Sequence, residues 1–160
     1  MPKLKLTLNC TVNMELIIRK ASVKDASEIA PLFDAYRVWY KQPSDLIGAL
    51  QFITERLKNK ESVILIAFLN NKPIAFTQMY PIFTSVGMGR ALLLNDLFVA
   101  EEARGKSIAT KLLEGAKAYG RIKECKWLML QTSESNYIAQ ALYKRNGWKK
   151  ETDFFYTATL

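Results

Sequence analysis

The sequence contains no histidine, and this absence excludes several kinds of active site. Without histidine there is no Ser-His-Asp triad, no Cys-His pair and no histidine metal site. The two cysteines, Cys10 and Cys125, are far apart and form no CxxC pair, so a disulfide framework is excluded. A zinc site would need carboxylates alone to complete it, and we therefore predict no metal and two reduced thiols.

Long apolar runs, glycine and proline are also scarce. The longest clear apolar run, residues 64–69, is far shorter than the roughly 20 residues of a membrane span. Residues 1–13 lack the continuous apolar core of a signal peptide. Seven Gly and five Pro are too few for a linker-rich chain. We expect a cytoplasmic protein with no membrane partner.

What the chain does contain is enough apolar sequence for one domain with a sizeable core, at 160 residues and 49% hydrophobic. The net charge of +8 suggests an anionic partner, which could be a phosphorylated cofactor, a nucleic acid or a membrane surface. The alternative is a solvated, lysine-rich surface. Because the basic residues are scattered rather than clustered in a run, the charge pattern argues against nucleic acid.

Apolar spacing and turn residues predict a β-α-α-β-β-β-α-β-α-β-β order. The predicted elements are strand 15–20, helices opening at Ser22 and Ser44, strands 62–69, 74–80 and 91–99, helix 107–119, strand 126–131, helix 137–145 and two closing strands within 148–160. A hairpin turn at 70–73 and a loop at 81–90 are predicted between them. Residues 1–13 are an N-terminal extension or an extra edge strand, and 14–160 form a single domain.

This order predicts a fold of the α/β (α+β) class. Strands run together in the middle of the chain and then alternate with helices. Such an order gives a three-layer domain, a mixed central β-sheet with helices on both faces.

The turn into the third predicted helix has the chemistry of a pyrophosphate cradle. It reads Arg104-Gly105-Lys106-Ser107-Ile108-Ala109, and its small residues let the backbone approach a ligand. The unpaired N–H groups and the dipole of the helix N-terminus favour an anion there, and two cations add charge. The alternative is an ordinary turn with a solvated Arg104. The segment is neither a Walker A loop nor a GxGxxG fingerprint.

Two motifs make the sequence resemble the GNAT superfamily of acetyl-CoA-dependent N-acetyltransferases. Arg104-x-x-Ser107-x-Ala109, after the strand 92–99, resembles the family's (Q/R)-x-x-G-x-(G/A) motif, with Ser107 where the family usually has Gly. The segment from Asn136 to Trp148 resembles N-x-x-A-x-x-(L/F)-Y-x-(K/R)-x-G-(F/W). The resemblance covers about residues 14–160 and matches the predicted order of elements.

The resemblance implies a GNAT-like sheet splayed between the family's fourth and fifth strands (the family's β4/β5), which are the predicted strands 91–99 and 126–131 here, with acetyl-CoA as cofactor. The amine attacks the thioester directly, which agrees with the absence of histidine. Backbone N–H groups beside the splay would polarise the thioester carbonyl. The implied cofactor-binding residues are Leu97, Phe98, Val99, Arg104, Gly105, Lys106, Ser107, Ile108, Ala109, Thr110, Asn136, Ala139 and Tyr143.

The candidate catalytic residues are Tyr143, Asn95 and Asp96. Tyr143 is the candidate general acid, since a phenol with a pKa of about 10 can donate a proton to a thiolate at neutral pH; the alternative is a packing tyrosine. Asn95 occupies a position where related polyamine acetyltransferases often carry an acid. Strand alternation places Asp96 on the opposite sheet face, so we do not expect it to replace that acid directly. Glu134 is another option for the base, and a water relay or an amine that arrives neutral would need no base from a named residue.

For the acceptor, the resemblance points to the first two helices and the loop between them. Trp39 and Asp45, with Glu134, are the predicted substrate-binding residues, because an aromatic ring and carboxylates suit a cationic amine. Tyr36 and Tyr40 are assigned to the core stripe of the first helix. Within the superfamily, the sequence most resembles the polyamine and diamine acetyltransferases and the small histone/polyamine acetyltransferases. The predicted acceptor is a small primary amine, a lysine-like side chain or a basic peptide.

Two other functions stay open at this point. One is a non-catalytic acyl-CoA-binding module, and the other is a basic nucleic-acid-binding domain. The apolar segment 154–160 is predicted as a strand at the sheet edge, where an unpaired strand invites another chain. We therefore predict a homodimer.

Overall fold

The computed structural model describes residues 4–8 and 14–159, which contain one six-stranded sheet. Neighbouring strands are antiparallel, except that the last two are parallel, so the predicted mixed sheet is confirmed. In spatial order, which is also chain order, the strands are β1 (Leu4–Leu8), β2 (Met14–Lys20), β3 (Val63–Leu69), β4 (Lys72–Thr84), β5 (Gly89–Val99) and β6 (Leu128–Leu130).

Helices cover both faces of the sheet, as predicted. The helices are α1 (Ala26–Trp39), α2 (Leu46–Lys58), α3 (Ile108–Ile122) and α4 (Tyr137–Arg145). One core lies between the sheet and α1 with α2, and a second lies between the sheet and α3. Leu142 and Tyr143 of α4 pack against the second core. The result is the expected three-layer architecture.

Ser22, where the first helix is predicted to open, pairs with Asp25 and fixes the start of α1. The Ser22 N–H donates to Asp25 Oδ2 at 2.7 Å, and the Arg19 guanidinium donates to both carboxylate oxygens at 2.6 and 2.9 Å. Hydrogen bonding from Arg19 lowers the pKa of Asp25 to about 2. A short 3-10 turn, Val23–Asp25, then leads into α1.

The hairpin turn between β3 and β4 is confirmed, and the predicted loop at 81–90 is wrong. Asn70 and Asn71 form a two-residue turn with φ of 50° and 64°. β4 continues past Pro81 to Thr84, where it pairs with Gly89, so the turn is confined to 85–88. β3 pairs with β4 only as far as Met79, and proline is tolerated on a strand beyond the end of its neighbour.

The two closing strands predicted within 148–160 are also wrong for the described residues. Gly147, at φ 74°, ends α4, and residues 149–159 contain no strand. This segment is exposed, including Phe154, Phe155 and Tyr156. β6 is three residues long, so a single chain offers the segment only a short edge to pair with.

At the other end of the chain, Leu4–Leu8 is the edge strand of the sheet and pairs with β2 in the register Leu6↔Leu16. The rest of residues 1–13 lies outside the described residues, and the domain boundary at residue 14 stays a prediction. In the described part of the chain, no helix is long and apolar enough to cross a membrane.

Candidate active site

The centre of the site is a gap that opens between β5 and β6. The two strands pair only from Leu92 to Leu94, so the remainder of β5 has no described strand on this side. Ala100 donates its N–H to Ile74 O at 2.8 Å, towards β4. Because backbone groups alternate along a strand, Leu97 and Val99 direct theirs into the gap, whereas Phe98 faces β4. The splay implied by the resemblance is therefore present.

A β-bulge at Asn95 changes which side chains meet at this gap. Gln78 pairs with Asp96, but the next residue, Met79, pairs with Leu94, so Asn95 is the extra residue. The Asn95 amide Nδ2 donates to Asp96 Oδ1 at 3.1 Å. The expectation that Asp96 lies on the opposite face from Asn95 is therefore wrong, because the bulge interrupts the alternation of side chains.

Asp96 is a buried acid, with 3% of its surface exposed. Gln78 Nε2 donates to its Oδ2 at 2.9 Å, and Ser62 Oγ donates to Gln78 Oε1 at 3.0 Å. Burial raises the pKa of Asp96, while hydrogen bonds from Gln78, Tyr36 and Asn95 oppose this rise. The carboxylate is thus fixed in place and is a stronger proton acceptor than an exposed aspartate.

Tyr143 lies on α4 and packs against the same core as Leu97 and Val99. Its ring packs against Trp148, with 6.2 Å between the ring centroids. Burial, with a smaller contribution from Tyr40, the C-cap of α1, raises the pKa of Tyr143 to about 12. The hydroxyl is therefore protonated at neutral pH, as a general acid must be.

The loop that joins β5 to α3 has the open backbone expected of a phosphate cradle. Gly105 has φ 75°, and a Cβ there would meet nothing within 4 Å. Ser107, the N-cap of α3, has φ 58°, in the left-handed region that favours glycine. This conformation explains why the similar motif carries glycine at that place. The side chain of Ile108 is buried in the core, so only its backbone can reach a ligand.

The two cations of this loop are turned back onto the protein. Arg104 Nε donates to Val99 O at 3.2 Å, inside the gap, and Lys106 Nζ donates to Glu102 O at 3.2 Å. Both side chains are exposed. They are held by single hydrogen bonds and can turn towards an anion.

The two sequence motifs meet in space. Asn136 caps α4, its Oδ1 accepting from Ala139 N at 3.1 Å. Asn146, at the end of α4, donates to Thr110 Oγ1 on α3 at 3.3 Å and accepts from Lys117 Nζ. Ala109 and Thr110 are half-buried on α3 beside this contact. The cradle and the helix that carries Tyr143 are therefore directly connected.

The predicted acceptor residues have different surroundings. Trp39 is half exposed and lines a groove of about 350 Å³ between α1 and the end of β5, with Phe98 and Arg104. Asp45 caps α2 by accepting from Gly48 N at 2.9 Å, which gives it a structural role. Glu134 is exposed in the loop before α4. The geometry favours Trp39 most clearly as a residue that can contact a ligand.

Tyr36 is the site residue that the sequence analysis missed. Its ring packs in the apolar stripe of α1 as predicted, against Phe33 and Phe76. Its hydroxyl, however, donates to Asn95 O at 3.5 Å, beside Asp96. A tyrosine in place of phenylalanine within a core stripe was the available signal, since a buried phenol needs a partner.

Comparison with known proteins agrees with this geometry. The model of the acetyltransferase (GNAT) family matches residues 27–148. An uncharacterized N-acetyltransferase, YhfO, of Bacillus subtilis (strain 168) is 50% identical over 137 residues, which are 86% of this chain and 92% of that protein. A crystal structure of a probable acetyltransferase is 35% identical with a TM-score of 0.85, covering 89% of this chain and 97% of the other.

The same fold occurs in a predicted acetyltransferase of Clostridium acetobutylicum solved with acetyl-CoA, at 21% identity and a TM-score of 0.74, covering 89% of this chain and 96% of that one. The gap, the cradle and the matching relatives lead to one conclusion. The chain belongs to the GNAT family and is an acyltransferase that uses acetyl-CoA as its cosubstrate.

Proposed function

We propose that the protein transfers the acetyl group of acetyl-CoA directly to a primary amine in the cytoplasm. The acceptor is a small polyamine or diamine, a lysine-like amine or a basic peptide. The observation that carries this proposal is the gap, into which the backbone of Leu97 and Val99 is directed, with Tyr143 packed against the same core as these two residues. A primary amine needs no nucleophile from the protein, and this chain has no histidine to activate one.

The loop from Arg104 to Thr110 would hold the pyrophosphate of the cosubstrate. Its exposed N–H groups, helix dipole and two cations all favour an anion. The backbone of Leu97 and Val99 would pair with the pantetheine arm as an added strand does. Arg104 donates a hydrogen bond to the carbonyl oxygen of Val99, and this bond would break when the pantetheine arm pairs with the strand.

Within the gap, two groups would stabilise the charges that develop during transfer. The N–H groups of Leu97 and Val99 would donate to the thioester oxygen as it gains negative charge. Tyr143 would donate its proton to the departing thiolate. Asn95 and Asp96 lie at the same gap and are the candidates for handling the proton of the amine.

Trp39, Asp45 and Glu134 would bind the acceptor. An exposed indole attracts a cation through its ring face, and the two carboxylates would supply negative charge. The net charge of +8 repels a polycation at long range, so local groups must supply the attraction. A short amine with one or two charges suits this balance.

Calorimetric titration with acetyl-CoA is the direct test. We expect saturable binding of one molecule per chain, followed by acetylation of at least one member of an amine panel of polyamines, lysine analogues and basic peptides. Gly105→Glu should weaken binding at least tenfold, because it puts a negative charge into the cradle. Met88→Glu is the matched control, since Met88 is also exposed at positive φ, in the turn at the other end of β5. Equal loss in both variants would contradict the cradle.

We also propose that the protein is a homodimer through its C-terminal segment. Phe154, Phe155 and Tyr156 are exposed, and residues 149–159 have no strand partner in the described chain. Apolar residues in an unpaired segment are suited to pair with a second copy. Light scattering at micromolar concentration should give twice the mass of the chain, and the mass of one chain would contradict the dimer.

A further inference from the structure

The buried acids of the described chain differ in their partners. Asp25 pairs with Arg19 at 2.6 Å, and Asp34 pairs with Arg37 at 3.5 Å. Asp96, the least exposed of the three, is hydrogen-bonded only to neutral groups in the described structure. A buried carboxylate without a cation is costly, so its presence beside a reaction site indicates a chemical role.

The Tyr36 hydroxyl connects this acid to the cleft. It donates to Asn95 O at 3.5 Å, and its hydrogen bonding is one of the influences that lower the pKa of Asp96. The ring is fixed by Phe33, Phe76 and Phe98. On its outer side, Tyr36 meets the half-exposed Tyr40, with 4.9 Å between ring centroids. The Tyr36 side chain interacts with both Tyr40 and Asp96, so it lies between the half-exposed Tyr40 and the buried carboxylate.

We propose that Tyr36 relays the proton of the acceptor amine to Asp96 during acetyl transfer. This inference rests on the proposed function. The amine reacts in its neutral form, after its ammonium has lost a proton to solvent. As its nitrogen forms the bond to the acetyl carbon, one N–H bond breaks and that proton passes to Tyr36 Oη. The hydroxyl proton of Tyr36 passes at the same time to Asp96. The C–S bond breaks, and the sulfur takes a proton from Tyr143.

Both residues then return to their starting states. Asp96 returns its proton through Tyr36 to Tyr40 and solvent, and Tyr143 regains a proton from solvent. The amine loses one proton, the thiolate gains one, and the electron pair of the C–S bond stays on sulfur. The relay therefore needs no further reactant.

The electrostatic surroundings suit these two roles. Burial and Asp96 raise the pKa of Tyr36 strongly, so this phenol stays neutral and passes a proton on without holding a charge. Burial raises the pKa of Asp96, which makes it a stronger base. The groups that face Asp96 are Tyr36 from α1, Gln78 and Tyr80 from β4, and Asn95 on its own strand; Arg56 and Glu61 act on Tyr80 from outside.

The test compares Tyr36→Phe and Asp96→Asn with wild type, after an active amine has been found. Each variant should lose about 100-fold in kcat/KM at neutral pH, the lower end of what a general base contributes. The double variant should lose no more than either single variant, because both changes interrupt one relay. Tyr119→Phe, which removes a hydroxyl from α3 on the other face, is the control and should keep full activity.

The pH profile separates the relay from a packing effect. The activity of wild type should fall at acidic pH as Asp96 becomes protonated. In Tyr36→Phe this acid limb should disappear, and activity should instead increase with pH up to the pKa of the free amine. Acetyl-CoA affinity should match wild type in both variants. The thermal midpoint should match wild type in Tyr36→Phe, whereas Asp96→Asn should lower it, because both oxygens of Asp96 accept hydrogen bonds from buried donors.

Three results would overturn the relay. A wild type that binds no acetyl-CoA, or acetylates no amine, would contradict the proposed function and the relay with it. If wild type acetylates an amine and Tyr36→Phe acetylates it equally fast, the relay is contradicted and the proposed function is not. Additive losses in the double variant would also contradict it, since they would show that Tyr36 and Asp96 act separately.

Discussion

The two walls of the cleft are built in different ways. The wall formed by β5 and α1 belongs to a continuous core, in which Phe76 and Ile29 are fully buried. The wall formed by β6 and α4 is thin, because β6 has three residues and α4 has no buried residue. Beyond α4 the chain continues in an exposed segment without strands.

The two walls therefore suit different tasks: the deeply packed wall holds groups at fixed positions, and the thin wall can adjust to a ligand. Groups that must be fixed, such as the N–H groups of Leu97 and Val99 and the carboxylate of Asp96, lie on the deeply packed wall. Tyr143 lies on the wall that packing holds least, where ligand or a second copy can add contacts. Local stability follows buried apolar contact, so the thin wall is expected to open first.

The largest expected effect comes from breaking the deep wall. Phe76→Ala removes a fully buried ring that contacts Phe33, Tyr36 and Phe98, and should lower the free energy of unfolding by about 3–5 kcal/mol. Leu142→Ala on α4 removes a partly buried side chain, and should cost less than about 2 kcal/mol. Urea denaturation followed by fluorescence measures both values. Equal losses would mean that the two walls are equally packed.

Removal of one hydroxyl from the thin wall should affect chemistry and leave binding unchanged. Tyr143→Phe keeps the ring against Trp148 and should lower kcat about 100-fold with little change in acetyl-CoA affinity. Steady-state kinetics and calorimetry on the same preparation give both numbers. Unchanged turnover would remove Tyr143 from the role of general acid, and Tyr137→Phe, an exposed tyrosine on the same helix, is the control.

The deep wall should also carry a pH-dependent part of the stability. The pKa of Asp25 is about 2 in the folded chain, below the value of about 3.9 for an unfolded aspartate. The stabilisation of the fold by the Asp25 carboxylate is therefore complete above about pH 4 and is lost as the pH falls towards 2. Asp25→Asn should cost about 1–3 kcal/mol at neutral pH, a typical loss for hydrogen bonds to a charged group, and should flatten that acid limb.

Asp153→Asn is the matched control for this measurement, because Asp153 is exposed in the segment after α4. It should leave the free energy of unfolding unchanged between pH 2 and 7. A comparable loss in both variants would show that net charge, and not the bond to Arg19, sets the acid limb.

The smallest expected effect concerns the cradle. Ser107 at φ 58° has a conformation that costs about 1–2 kcal/mol in a residue with a side chain. Glycine relieves this cost but gains freedom in the unfolded chain, worth about 0.4–1 kcal/mol. Ser107→Gly should therefore stabilise the fold by at most about 1.6 kcal/mol, whereas Ser85→Gly, in an exposed turn without positive φ, should destabilise it.

The sequence predicted the regular parts of the fold well. The helices, the central strands and the turn at Asn70 and Asn71 follow from local periodicity and turn chemistry, which neighbouring residues determine. The two site motifs were also readable, because each is a contiguous segment that the fold brings together at Thr110 and Asn146.

The features that were missed depend on partners distant in sequence. The bulge at Asn95 exists only in relation to Gln78 and Met79, and a single strand does not reveal it. The extension of β4 past Pro81 depends on where β3 ends. The segment after α4 has the composition of a strand, but composition does not supply the neighbouring edge that a strand needs.

The turn at Asn70 and Asn71 has a consequence for how the chain folds. It brings β3 and β4 together with only two residues between them, so the central pair of the sheet closes the shortest loop in the molecule that joins two strands. β2 must instead reach β3 across both α1 and α2. Because short loops close fastest, we expect this hairpin to form early and to act as the template on which β2 and β5 assemble.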